Sequence, residues 1–250
     1  MSAFDAKIEI ERITSFLKET FHSASFSDAV IGLSGGVDSA VSFFLAVRAL
    51  GVDRVYPVLL PYGALSTQGV LDAMECVTIA KVPLSHLVRI DIQPAVDIIA
   101  RTSGASFDQL RKGNIMARVR MTYLFDQAKK RNALVVGTEN RSEYELGYFT
   151  RFGDEASDIE PIQHLLKREV YELGRALVVP QKILEKIPSA DLWPGQTDEG
   201  ELGFTYQEVD EVLQNREIVL ENKEHATEKQ KRIIQRMEHS AFKRQKRKTL

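Results

Sequence analysis

Cysteine is nearly missing from this chain: 250 residues contain one, Cys76, which excludes an internal disulfide framework and any cysteine-rich zinc site. No uninterrupted apolar run approaches the roughly 20 residues a bilayer requires, so neither a spanning helix nor a membrane partner is expected. The opening residues Met1-Ser2-Ala3-Phe4-Asp5 carry no basic cluster followed by an apolar stretch, so no secretory leader is expected. Internal repeats, low-complexity tracts and Pro-rich linkers are absent as well. What remains is 44% hydrophobic and 27% charged, ordinary values for a water-soluble chain long enough to bury a large core. The expectation is a cytoplasmic protein folded as one domain over residues 1–250.

A net charge of −2 conceals a split. From Lys223 to Leu250 there are ten Lys or Arg against three Glu, a tail of about +7 on a body of about −9. Such a tail serves a partner, an acidic body or an anionic ligand.

Apolar spacing over Phe4 to Phe21 predicts an opening amphipathic helix. Asp28 to Leu33 then reads as a buried strand, Ala40 to Leu50 as a helix closed by Gly51, Val55 to Leu60 as a strand, and Gly69 to Lys81 as a helix. His86 to Ile90, Ile115 to Arg131 and Leu134 to Val136 continue as strand, helix and strand. Alternation of this kind predicts an α/β fold with a parallel sheet and right-handed crossovers. Residues 139–160 keep neither period and read as a long functional loop. Helices resume at Lys167 to Leu177, Tyr206 to Leu213 and Thr227 to Lys243.

Gly32-Leu33-Ser34-Gly35-Gly36-Val37-Asp38-Ser39 lies where an open parallel sheet holds its ligands, after a strand and before a helix. Two glycines admit an anion close to the backbone, Ser34 and Ser39 add hydroxyls, and the helix N-terminus favours phosphate. Asp38 repels phosphate unless a hard cation intervenes, which points to Mg²⁺. Neither the three-glycine dinucleotide fingerprint nor the Walker Gly-Lys-Ser/Thr ending is present. Read blandly, the segment is a glycine-rich turn with a capping serine.

The string resembles the Ser-Gly-Gly-x-Asp-Ser loop of the N-type ATP pyrophosphatases, which cleave ATP between its α and β phosphates. Further segments resemble the NAD synthetase family in particular: Gly113-Asn114-Ile115-Met116-Ala117-Arg118-Val119-Arg120-Met121, the run Gly137-Thr138-Glu139-Asn140-Arg141-Ser142-Glu143, and Gly147 to Asp154. Pro161-Ile162, Lys167, Pro188 to Leu192, Thr197-Asp198-Glu199 and Tyr206 follow in the family's order. The resemblance implies a three-layer sandwich with a parallel, Rossmann-like sheet of the adenine nucleotide alpha hydrolase type. Only 33 residues precede the loop, so the resemblance implies the ammonia-dependent form, one synthetase domain with no N-terminal glutaminase.

The implied reaction has the carboxylate of deamido-NAD attack the α phosphate of ATP, after which ammonia displaces AMP to give NAD. By the same resemblance ATP meets Gly32, Leu33, Ser34, Gly35, Gly36, Val37, Asp38 and Ser39, with Thr138, Lys167 and Ser189; Asp38 and Glu143 ligate Mg²⁺. Ser189 stands where the family commonly has Thr. Leu59 to Gly63 is where adenosine is expected to rest. Deamido-NAD falls to Arg118, Arg151, Asp158, Phe242 and Lys243, with Arg151 in place of Lys and Phe242 in place of His. Asp154 is a nearby acid without an assigned role, and Tyr148, Phe149 and Phe152 either line the pyridine pocket or pack the core. No side chain is a clear general base for ammonia; Asp191 and Asp198 read equally as acceptors of its proton and as caps. The family implies a homodimer with long helices at the interface. Nucleic acid is not expected as a partner; a tRNA-modifying ATP pyrophosphatase and a noncatalytic nucleotide-binding module stand as alternatives.

Overall fold

The computed structural model describes residues 4–104, 108–221 and 224–245. Asp5 accepts the N–H groups of Lys7 and Ile8 and so starts helix α1 (Ala6–Ser23), whose buried Ile10, Ile13, Leu17 and Phe21 recur at three- and four-residue steps. Strand β1 (Asp28–Gly32), helix α2 (Val37–Leu50), strand β2 (Val55–Leu59), helix α3 (Thr67–Ala80) and strand β3 (Val88–Arg89) follow. Helices α4 (Gln93–Thr102) and α5 (Gln109–Arg131) then carry the chain back to strand β4 (Ala133–Val136).

All strand pairs are parallel, in the order β3-β2-β1-β4. The chain builds outward from β1 and then returns to place β4 on its other side. The order therefore reverses at β1, leaving a crevice beyond the C-terminal ends of β1 and β4. Both sheet faces are covered. Ala29 and Ile31 enter the core made with α1 and α2, whereas Val30 faces Val135, Leu124 and Ala128 on the α5 side. That is why β1 reads as an unbroken apolar run.

Beyond β4 come α6 (Arg141–Leu146), α7 (Lys167–Ala176), α8 (Gln181–Leu184), α9 (Asp198–Leu202), α10 (Tyr206–Gln214), α11 (Arg216–Glu221) and α12 (Glu228–Arg244). Leu146, Leu166, Phe204, Val209, Ile233 and Met237 pack into a separate apolar cluster that joins these helices. Among the described residues no helix is long and apolar enough to cross a membrane.

The alternation read from the sequence matches the core of this fold, with differences: the strand expected over His86 to Ile90 is only Val88–Arg89, and α8, α9 and α11 have no counterpart in the reading. Helix α4 fills the polar stretch before α5, with one fully buried apolar residue, Val96, to mark its inner face. Helix α5 starts at Gln109, capped by Asp108, rather than at Ile115. The segment 139–160 contains helix α6, and its end returns to the sheet, where Ile159 bridges Val136 in parallel. Lys223 and residues 246–250 of the basic tail lie outside the described residues.

Candidate active site

The loop between β1 and α2 is tied by its own hydroxyls. Ser34 N–H donates to Ser39 Oγ at 3.2 Å, Gly36 N–H donates to Ser34 Oγ at 3.2 Å, and Ser39 Oγ donates to Gly36 O at 3.0 Å. Gly35 has φ +83°, and a Cβ there would collide with the backbone of Gly69 on α3, so the close approach of loop and helix requires glycine. Asp38 sits in the first turn of α2, where the helix dipole favours its charge.

Three further segments bring side chains to Asp38. Asn140 caps α6 through the Glu143 N–H (3.0 Å) and also donates Nδ2 to Asp38 Oδ1 at 2.8 Å. Lys167, the first residue of α7 and only 2% exposed, places Nζ 2.7 Å from Asp38 Oδ2 and 2.7 Å from Glu143 Oε1. Burial alone would lower the Lys167 ammonium; the two carboxylates outweigh it and raise it, so the lysine stays charged. Burial raises the Glu143 carboxyl, against the pull of Lys167. Tyr206 OH donates to Glu143 Oε1 (3.2 Å) and to Asp198 Oδ2 (3.0 Å), and Tyr148 OH donates to Asp198 Oδ1 at 3.1 Å.

The start of α7 is held from behind. Asp210 on α10 is buried, accepts the Ser142 hydroxyl and, at 3.0 Å, the Arg168 N–H; Ser142 Oγ in turn accepts the Lys167 N–H at 3.0 Å. Asp210→Ala strands these donors and is expected to lower stability by about 2–4 kcal/mol. Urea unfolding of the variant, compared with wild type at equal m-value, checks this.

These groups open onto a cavity of about 630 Å³. Its lining includes the Ser34–Ser39 loop, Leu59, Leu60 and Pro61, together with Asn114, Arg120, Tyr148, Phe149 and Asp154, and Arg236 and Lys243 of α12. In its wall, two hard carboxylate oxygens already share one cation, the Lys167 ammonium. That donor set fits Mg²⁺, which uses one or two carboxylates and takes its other ligands from phosphate and water. Consistent with this, no group of three or more His, Cys, Asp or Glu forms an all-protein metal cage among the described residues.

A family model described as NAD synthase matches residues 9–247. The chain belongs to the NAD synthase family. It is 43% identical over 214 residues to an NH3-dependent NAD⁺ synthetase of Thermococcus kodakarensis, covering 85% of this chain and 82% of that protein. Among solved structures, an NMN synthetase from Francisella tularensis superposes with TM-score 0.90 at 37% identity, covering 99% of each chain. An NH3-dependent NAD synthetase from Campylobacter jejuni, solved with nitrate, superposes with TM-score 0.84 at 29% identity, covering 99% of this chain and 100% of that one.

Set beside the NAD synthase pattern, the residues expected from sequence divide into two groups. Gly32, Leu33, Ser34, Gly36, Val37, Asp38, Ser39, Thr138, Glu143, Lys167 and Ser189 all line the cavity, and Gly35 shapes its loop. Of the residues expected for deamido-NAD, only Lys243 does. Arg118 donates to the carbonyls of Asn114 and Arg151, Arg151 to that of Gln245, and Asp158 Oδ2 accepts the Val135 N–H at 2.8 Å. Phe242 is 55% exposed. Helix periodicity explains the first case: Arg118 and Arg120 are two residues apart, about 200° around the helix. Arg120 shares the cavity-facing stripe with Asn114, Ala117 and Leu124, a signal present in the Gly113–Met121 segment.

Arg236 on α12 and Lys186, whose Nζ lies 3.4 Å from Asp191 and 3.7 Å from Asp72, also reach the cavity and were not read from sequence. Nor was Glu139, 6% exposed, with Oε2 accepting from Gln163 at 2.9 Å and Oε1 buried without a partner among the described residues. Burial pushes the Glu139 carboxyl up to about 9, Gln163 resists, and Glu160 adds to the rise. The folded state thus keeps a proton that the unfolded chain releases near 4.5, so this group removes stability as pH climbs from about 4.5 to about 9. Glu139→Gln is expected to flatten that slope, with a larger gain in melting temperature at pH 8 than at pH 5.

Proposed function

We propose that this chain joins ammonia to the nicotinate carboxylate of deamido-NAD, driven by ATP, with release of NAD, AMP and pyrophosphate. The carrying observation is the meeting of Asp38, Glu143 and Lys167 at the N-terminus of α2, beside a serine- and glycine-lined loop. A carboxylate oxygen of the substrate attacks the α phosphorus and the bond to the β,γ-pyrophosphate breaks. Ammonia then attacks the acyl carbon, loses a proton, and AMP leaves with the carboxylate's oxygen. Both steps demand charge control, because an anion must approach a polyanion.

The N-terminal N–H groups of α2 and the Ser34 and Ser39 hydroxyls suit the departing pyrophosphate. Lys167 supplies a fixed cation. Asp38 and Glu143 would hold Mg²⁺, whose chemistry there is to neutralise phosphate charge. Ser189 and Thr138, which line the same cavity, suit further ATP contacts, and Leu59, Leu60 and Pro61 offer apolar surface for adenine. Asp198 accepts from two tyrosines, which suits a positioning group better than a base, and no base is assigned.

Ammonia rather than glutamine as nitrogen donor is supported by the single cysteine. Cys76 is buried in α3, and burial pushes its thiol up to about 12, which disables it as the nucleophile of an amidase. The same lone, shielded thiol accords with a reducing, cytoplasmic setting. Incubation with ATP, Mg²⁺ and deamido-NAD is expected to yield NAD and AMP with ammonium and little with ammonia-free glutamine. Equal rates with both donors would overturn the donor assignment.

Arg118, Arg151 and Asp158 are not among the residues that line the chain's own cavity. If they hold the dinucleotide, they do so from a second copy, which supports a homodimer; an active monomer by light scattering would refute it. A second substrate is favoured by the Francisella structure, matched over 99% of both chains and named an NMN synthetase. Comparing kcat/KM for nicotinate mononucleotide and the dinucleotide decides between them.

A further inference from the structure

We propose that Arg236 is the side chain that grips the phosphate on the nicotinate-bearing half of the substrate, an inference that rests on the function just proposed. Helix α12 turns three cations toward α6 and the segment that follows it, and their bonding differs. Arg244 donates to the carbonyls of Tyr144, Glu145 and Met237 and to Ser240 Oγ, at 2.7–3.1 Å. Lys243 Nζ donates to the carbonyls of Gly147 (2.7 Å) and Phe149 (2.6 Å). Both therefore cap the C-terminal end of α6, where free carbonyls and the dipole favour cations. Their charges are engaged by the fold.

Arg236 is not so engaged. One helical turn before Ser240 on the same stripe, it lines the cavity, and its Nε is buried with no acceptor among the described residues. Its guanidinium carbon lies 5.9 Å from the centre of the Tyr148 ring, over its face. A desolvated N–H donor without an acceptor is costly to leave unpaired, and a ligand oxyanion would satisfy it. The planar fork of arginine matches phosphate in particular.

Two anionic groups on the substrate compete for it. The carboxylate must be free to attack the α phosphorus near Asp38 and Glu143. A guanidinium clamped on that carboxylate would weaken it as a nucleophile. The remaining anion is the phosphate on the nicotinate riboside, which mononucleotide and dinucleotide share. Lys243 is then a structural cation, and Arg236 fixes the distance of the pyridine from the reaction centre.

The test is Arg236→Gln, with Arg236→Lys as the conservative control and deamido-NAD and NAD as probes. For Arg236→Gln, KM for deamido-NAD and its Kd by calorimetry are expected to rise about 10- to 100-fold. KM for ATP is expected to hold, and Arg236→Lys to recover part of the loss. Because amidation leaves the phosphate untouched, the inhibition constant of NAD should rise by the same factor. An unchanged Kd for deamido-NAD in Arg236→Gln would overturn the assignment. So would a loss shared equally by ATP, which marks a structural role, or a loss confined to deamido-NAD, which would place Arg236 on the carboxylate. Wild-type enzyme that neither binds deamido-NAD nor forms AMP from it would instead remove the function on which the inference rests.

Discussion

Asp38→Asn lowers the rate of AMP formation by at least about 10³-fold while the variant melts cooperatively near the wild-type temperature. The carboxylate at this position accepts from two donors at once, Asn140 Nδ2 and Lys167 Nζ. An amide has one acceptor oxygen, so Asn at position 38 must turn its NH₂ toward one of these donors. It also withdraws one of the two anionic oxygens available to Mg²⁺. The fold does not depend on that charge: α2 is fixed by Ala40, Val41, Phe43 and Leu45 in the main core, and Lys167 keeps Glu143 as a partner. Pyrophosphate release, measured with deamido-NAD and ammonium saturating, checks the rate; far-ultraviolet circular dichroism on heating checks the fold. Wild-type release by the variant would show that Asp38 does not manage phosphate charge.

Lys167→Met is expected to combine two losses. Turnover falls by about 10²- to 10³-fold because a fixed cation beside the reacting phosphate disappears. Stability falls as well, by about 3–5 kcal/mol near pH 8, since removing one member of a buried ion pair leaves the other charge uncompensated. Here two carboxylates, each 2.7 Å from the lost nitrogen, are left facing one another. Burial already raises Glu143, and losing Lys167 removes the main pull against that rise, leaving only the weaker Tyr206 hydrogen bond. A carboxyl raised in the folded state binds its proton there more tightly than in the unfolded chain, so stability returns as pH falls. Melting temperature against pH is therefore expected to show the variant recovering between pH 8 and pH 5 relative to wild type. A constant difference across that range would mean that the carboxylates do not repel one another as described.

The sheet was legible because its strands are short, apolar and punctuated. Ala29, Val30 and Ile31 are buried on both faces and leave no ambiguity about a central strand. The loop after β1 was legible for a different reason. Gly35 and Asp38 are residue types that nothing but backbone approach and charge placement explains well in that context. Helix α4 was not legible, since only Val96 is fully buried and its other apolar residues Ile98 and Ile99 face outward, which blurs the period. Helix α6 escaped because it is six residues long and is started by the Asn140 side chain, a tertiary as well as a local group.

At the site, position along the chain and position in space parted on the substrate side. Arg118 and Arg120 are both present in the Gly113–Met121 segment, yet only Arg120 reaches this cavity. Lys243 lines the cavity as expected, but its ammonium is spent on the carbonyls of Gly147 and Phe149. Arg236 looked like one charge among many in a basic helix. Its standing depends on which acceptors surround it, and that is settled by how α12 packs on α6, by contacts between residues some 90 to 100 positions apart.

The central claim is that the substrate carboxylate attacks the α phosphorus of ATP at the Asp38, Glu143 and Lys167 centre, so that one of its oxygens leaves with AMP. Deamido-NAD carrying ¹⁸O in its nicotinate carboxylate, converted with ammonium and ATP, tests this by mass spectrometry of the products. One labelled oxygen is expected in the phosphate of AMP and none in pyrophosphate. Label in pyrophosphate, or AMP that carries none, would contradict the acyl adenylate and the placement of the reaction at this centre.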